Sequence, residues 1–203
     1  MSESFSEPNM SVEEYLAHEE RASVRHEYVQ GQIFVMSGAT QAHHLICGHL
    51  YGSLYAHLSD GPCRACMNDM KVRVEAANCF YYPDVMVTCE PLEPRSVYIN
   101  KPVLIIEVLS QSTAQIDRRE KLVAYKKLSS LQEYVIVHQN KQLVEVHRKQ
   151  SNGRWMVSVL RQSERLNLES IPNKPFSLPV SAIYKGLDLS AFVEESEEEY
   201  SIG

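Results

Sequence analysis

The sequence predicts a mixed α/β domain with a central sheet and two principal helices, and three observations carry that expectation. Apolar Leu45, Ile46, Leu50, Leu54 and Leu58 recur at three- and four-residue steps, the period of a helix that buries one face. Residues 103–109 form a nearly unbroken apolar run around Glu107, the pattern of a strand covered on both faces of a central sheet. Segments 133–138, 142–148 and 154–160 are strand-like and joined by short polar turns at 138–141 and 150–153, which favours an antiparallel meander. Strand and helix periods in one chain call for a layered fold.

Taken in order, 11–22 reads as a short helix capped by Ser11, with Glu13 and Glu14 at the positive end of its dipole and Val12, Tyr15 and Leu16 as its apolar stripe. Residues 25–36 hold two β-prone runs around Gln30-Gly31, a hairpin signal. The long helix spans 40–58 and stops at Asp60-Gly61-Pro62. Strands follow at 71–74, 80–87 and 103–109, and then a second amphipathic helix over 113–128, with Leu122, Val123, Tyr125 and Leu128 expected toward the core. After the meander, Pro172, Pro175 and Pro179 interrupt regular structure before a short piece at 180–185. The expected organisation is a flexible segment 1–10, one domain over 11–190, and a flexible acidic tail over 191–203.

The 203 residues suit one domain with a substantial core. Apolar residues at 44% and charged residues at 23% exclude a mostly disordered chain. No stretch approaches the roughly 18–20 apolar residues that cross a bilayer, and the polar, acidic N-terminus does not resemble an export signal, so the cytoplasm is expected and a membrane is not. A net charge of −6 removes the simplest argument for a nucleic-acid partner. However, five of those negative charges are glutamates of 194–199, which leaves residues 1–193 near −1. Five cysteines, at 47, 63, 66, 79 and 89, give an odd count and a single CxxC with no matching second pair, so thiols rather than disulfides or a zinc site are expected.

Two carboxylates interrupt segments otherwise fit for the core: Asp84 after Pro83, and Glu107. A buried ionised carboxylate needs a cation, a hydrogen-bond set or a raised pKa, and a divalent cation between two acids supplies the first. The bland alternative places Asp84 in a turn and Glu107 at a wet strand end. Asp117, Lys121 and Tyr125 stand at four-residue steps on one helical face, which either brings a lysine over the acids or makes an ordinary surface ion pair. His43 and His49 do not share a helical face, and a structural or hydrogen-bonding role is favoured for His43. Asp69 and Lys71, two apart on one strand face, border either a nucleic-acid groove or a solvated edge. Trp155 reads as a packing residue.

The ordered segments EEYL (13–16), RHEYVQGQI (25–33), DMKVRV (69–74), YYPDVMVTC (81–89), PVLIIEVLS (102–110), STAQIDRREKLVAYKKL (112–128) and LQEYVIV (131–137) resemble the Uma-type family of restriction-endonuclease-related proteins, within the PD-(D/E)XK nuclease superfamily. The resemblance spans residues 10–190. It implies a restriction-endonuclease-like fold, a central mixed sheet flanked by helices, with a metal-dependent phosphodiesterase site. By that resemblance Asp84 and Glu107 are the ligands of Mg²⁺ or Mn²⁺, Glu27 is a supporting acid, and Lys121 is the catalytic lysine. The superfamily lysine stands two residues after the second acid, where this chain has Leu109; Lys121 is then a relocated substitute.

The expected activity is Mg²⁺-dependent hydrolysis of DNA phosphodiesters, with a homodimer compatible with cutting two antiparallel strands. The alternative is a catalytically weak or inactive nuclease-fold module that binds nucleic acid or protein, an expectation strengthened by Leu109 and the acidic balance.

Overall fold

The computed structural model describes residues 9–36, 38–109, 117–190 and 192. Residues 1–8, the expected helical segment 113–116, the side chain of Asp117 and the acidic run 194–199 lie outside the described residues.

Helix α1 (Val12–Glu19) starts at Ser11, whose hydroxyl accepts from the Glu14 amide while the Glu14 carboxylate accepts from the Ser11 amide at 2.7 Å. This reciprocal cap satisfies two of the free donors at the helix start. Strands β1 (His26–Val29) and β2 (Gln32–Val35) pair through Gln30 and Gly31, both at positive φ, 51° and 98°. Two left-handed residues match the twist of a hairpin, and a Cβ on Gly31 would collide with the Asn9 side chain. Helix α2 (Gln41–Leu58) is capped by Thr40 and buries Ile46, Leu50, Leu54 and Leu58, as the apolar spacing predicts.

Then come β3 (Arg64–Met67), β4 (Lys71–Val74), β5 (Cys79–Tyr81), β6 (Val85–Thr88), β7 (Tyr98–Ile99) and β8 (Pro102–Leu109). A π-helical turn over Asp117–Lys121 leads into α3 (Leu122–Tyr125). The meander β9 (Glu133–His138), β10 (Leu143–Lys149) and β11 (Trp155–Arg161) follows as expected. The chain closes with the hairpin β12 (Arg165–Leu168) and β13 (Phe176–Pro179) and with α4 (Val180–Ile183).

The central sheet has six strands in the order β11-β10-β9-β8-β6-β3, antiparallel except for the parallel pair β8/β9. A second sheet, β2-β1-β5-β4-β7, lies beside it. One face of the central sheet packs Val85, Leu104, Ile106 and Val135 against Ile46, Leu50 and Leu54 of α2. The other packs Met86, Ile105, Tyr134 and Ile136 against Tyr125 and Leu128. Each such side chain contributes about 1.5–3 kcal/mol by leaving water, which anchors α2 and α3 on opposite faces. A third cluster, Tyr15, Tyr28 and Phe80, seats α1 on the second sheet.

Several expectations change. The stretch 80–87 is two strands in different sheets: β5 ends at Tyr81, and the chain crosses through Tyr82, Pro83 and Asp84 into β6. Pro83 has no amide donor to continue a ladder, which is why the break falls there. Val123 is 62% exposed: at about 100° per residue it lies opposite Lys121 and Tyr125, which face inward. Lys71 is buried rather than on a solvated edge. Cys63 and Cys89 form a disulfide, while Cys47, Cys66 and Cys79 are free thiols. The register Arg64↔Thr88 sets Cys63 opposite Cys89 at the ends of neighbouring strands, a pairing that linear spacing does not reveal.

Candidate active site

Asp84 and Glu107 meet because of register. Strand β6 pairs with β8 as Val85↔Ile106, so the residue before Val85 lies opposite the residue after Ile106. The two carboxylates interlock with the backbone: the Val108 amide donates to Asp84 Oδ2 at 2.7 Å, and the Asp84 amide donates to Glu107 Oε2 at 3.4 Å. Glu107 is 3% exposed rather than at a wet strand end; Asp84 does stand in the bend that follows Pro83, with its side chain 16% exposed.

Lys121 reaches the same point from α3's leading turn. Its ammonium lies 2.8 Å from Glu27 Oε1 and 3.6 Å from Glu107 Oε1, and 5.5 Å from the ring centre of Tyr81. It is 6% exposed, so it is not a surface ion pair. Leu109 is buried in the core beside Ile105 and Tyr125, and the cation arrives from the helix instead. All four sequence-predicted residues, Glu27, Asp84, Glu107 and Lys121, line one cleft of about 1310 Å³.

The fold shows what two groups whose partners the sequence left open do. Tyr125 donates its hydroxyl to Glu107 Oε1 at 2.8 Å, and burial, followed by the charges of Glu107 and Glu27, holds that phenol well above its ordinary pKa. It therefore remains a donor. The four-residue step from Lys121 already put Tyr125 on the same helical face. His43 Nε2 lies 3.3 Å from Asp84 Oδ2, and His43, Cys47 and Asp84 place one donor atom each within 4.8 Å of one another. On α2 the neighbouring donor is the Cys47 thiol, and the carboxylate comes from Asp84, just ahead of β6. Burial and then the charges of Asp84 and Glu107 push the Cys47 thiol up, which keeps it protonated and a poor ligand.

The donor chemistry fits a hard divalent cation. Glu27 and Glu107 share the Lys121 ammonium while Asp84 lies against His43, all three carboxylates line the cleft, and the other oxygen of Asp84 meets no described protein donor. Oxygen ligands with excess negative charge suit Mg²⁺ or Mn²⁺.

A second polar group adjoins these residues. The Glu19 carboxylate accepts from the His26 amide at 2.9 Å and from the Tyr82 hydroxyl at 2.8 Å, and its Oε2 lies 3.1 Å from His26 Nδ1. The Lys71 ammonium donates to the Tyr82 oxygen at 3.2 Å.

The mixed sheet carries Glu107 on β8 and Asp84 just ahead of β6, with Lys121 delivered to the same cleft, in a protein of the nuclease-like α/β class. The fold is similar to that of the crystal structure of a "putative nuclease belonging to DUF820" from Anabaena variabilis, with a TM-score of 0.71, 16% identity, and coverage of 86% of this chain and 97% of that one. The chain belongs to the Uma2 family, described as "Putative restriction endonuclease", which matches residues 12–181. It is 36% identical over 181 residues to the uncharacterized protein slr1290 of Synechocystis sp., covering 89% of this chain and 94% of that protein. A second uncharacterized Synechocystis protein, sll1609, is 31% identical over 156 residues, covering 74% of this chain and 87% of the relative. Among the described residues no helix is long and apolar enough to cross a membrane.

Proposed function

We propose that this protein is a divalent-metal-dependent endonuclease that hydrolyses DNA phosphodiesters. The observation that carries the reading is the interlocked pair Asp84 and Glu107, each fixed by a backbone amide of the other's strand, with one lysine delivered to the same cleft.

Asp84 and Glu107 would hold Mg²⁺ or Mn²⁺, and Glu27 is placed to support that charge through Lys121. When bound, the metal supplies Lewis-acid polarisation of a phosphate oxygen and a lowered pKa for water. The chain's own contribution is positioning. The Val108 amide and His43 fix Asp84, while the Tyr125 hydroxyl and Lys121 fix Glu107. Preset donors and acceptors need no rearrangement as charge builds on the phosphate. Lys121 shares its charge between Glu27 and Glu107, and that ammonium would orient a water or meet an anionic oxygen as the bond is cut. A homodimer would bring two such sites to the two strands of a duplex, and the cytoplasm is the compartment this reading implies.

The test is cleavage of duplex DNA with Mg²⁺ or Mn²⁺ by the wild type, Asp84→Ala and Glu107→Ala. Loss of several kcal/mol of transition-state stabilisation lowers the rate by orders of magnitude, so both variants are expected to be inactive. Equal cleavage by all three preparations identifies a contaminant and removes the assignment.

A further inference from the structure

Lys71 is 7% exposed, yet it lines the same cleft as the acids. A buried ammonium normally finds a carboxylate, because its desolvation otherwise goes uncompensated. Among the described residues none lies within ion-pair distance of Lys71; its hydrogen-bond acceptor is the Tyr82 hydroxyl at 3.2 Å. That oxygen is turned to it by design of the network. Tyr82 spends its proton on Glu19 at 2.8 Å, and Glu19 is itself held by the His26 amide. An ammonium carries three donors, so two remain for a ligand. Burial lowers the Lys71 pKa, with the Glu19 charge opposing that shift; an anion arriving in the cleft would restore it.

The other cations of the cleft are already matched. Lys121 has Glu27 and Glu107, and Arg25 has Asp69 at 3.0 Å. Position matters as much as charge. The register Val72↔Tyr81 carries Lys71 opposite Tyr82, one strand spacing of about 4.8 Å to the side. Tyr82 precedes Asp84 by two residues, at most about 7 Å of extended chain. The Lys71 backbone therefore lies within about 12 Å of that of Asp84, and the side chains of both line one cleft with Glu107.

We propose that Lys71, held by Tyr82 and Glu19, binds the backbone phosphate that flanks the bond to be cut. This rests on the phosphodiesterase reading above and adds to it a phosphate subsite built by α1, β4 and the β5–β6 crossing.

The experiment is fluorescence anisotropy of a labelled DNA duplex with the full chain, in EDTA so that nothing is cut, over a series of KCl concentrations. Lys71→Met is expected to weaken binding about ten-fold and to reduce the salt slope by about one, as loss of a single phosphate contact requires. Lys71→Arg is expected to recover most of both. Thermal melting checks folding, and Lys71→Met is expected to melt no lower than wild type because it removes a buried charge. If Lys71→Met does not fold, Lys71→Gln replaces it. Wild-type affinity and slope in the variant overturn the subsite, as does absence of duplex binding by the wild type. The two readings separate cleanly. Lys71-dependent binding without hydrolysis under any divalent metal keeps the subsite and removes the nuclease; Asp84-dependent hydrolysis that ignores Lys71 in KM and Kd does the reverse.

Discussion

Replacing Lys121 by Met removes the cation that two buried carboxylates share. Its ammonium lies 2.8 Å from Glu27 and 3.6 Å from Glu107, and the side chains of Lys121, Glu27 and Glu107 are 7%, 14% and 3% exposed. At an effective dielectric of about 20, those separations correspond to roughly 6 and 5 kcal/mol of gross attraction. Desolvation takes back most of it, and truncating one partner of a buried pair typically costs about 3–5 kcal/mol. The Tyr125 hydroxyl and the Asp84 amide still serve Glu107, so the expected loss lies at the lower end, about 3 kcal/mol. In a chain of this size that lowers Tm by roughly 6–12 °C. Glu27→Gln in the same background leaves one fewer charge stranded, and the double-mutant cycle is expected to give a coupling of about 2 kcal/mol. Urea unfolding at neutral pH in EDTA measures all four corners. Additivity within about 0.5 kcal/mol would refute the claim that Lys121 and Glu27 act as a pair. A relocated lysine that is a surface residue would give that result.

Two further outcomes follow from groups away from the acids. His147 has both ring nitrogens buried without a hydrogen-bond partner among the described residues, and burial, then the Lys126 charge, holds its pKa below the ordinary 6.5. The unfolded chain therefore takes up the proton first as pH falls, so stability drops from about pH 6.5 down to the depressed folded value. His147→Phe is expected to flatten that limb by up to about 1.4 kcal/mol per pH unit, and parallel stability curves for variant and wild type would contradict it. The Cys63–Cys89 bond spans a sequence separation of 26, and closing such a loop is worth about 3.5 kcal/mol in the chain-entropy treatment. Cys63→Ser is expected to unfold at lower urea than oxidised wild type, with the difference vanishing in reductant; no difference under oxidising conditions would mean the bond is not formed or does not stabilise.

The sequence made visible those features that are local in the chain. Helix α2, the Ser11 cap, the Gln30-Gly31 turn and the meander each rest on a period or a turn spanning a few residues, and each stands where expected. Asp84 and Glu107 were legible because a carboxylate inside an apolar strand is costly unless something compensates. The backbone amides that fix them are set by the β6/β8 register, which no linear pattern encodes. The same holds for His43 beside Asp84 and for Cys63 opposite Cys89. The solvated-edge alternative for Lys71 fails for a related reason. Alternation in β4 gives a residue's face but not what covers that face, and here the cover is Tyr82 at the crossing between two sheets. Val123 needed only stricter use of the helical angle that already aligned Lys121 with Tyr125.

The central claim is a divalent-metal site built on Asp84 and Glu107, and calorimetric titration with Mn²⁺ tests it most directly because it requires neither substrate nor turnover. Saturable binding by the wild type is expected, and Asp84→Ala and Glu107→Ala are each expected to abolish it while both variants remain folded by circular dichroism. Absence of binding by the wild type at millimolar Mn²⁺, or binding unchanged in Asp84→Ala, would contradict it.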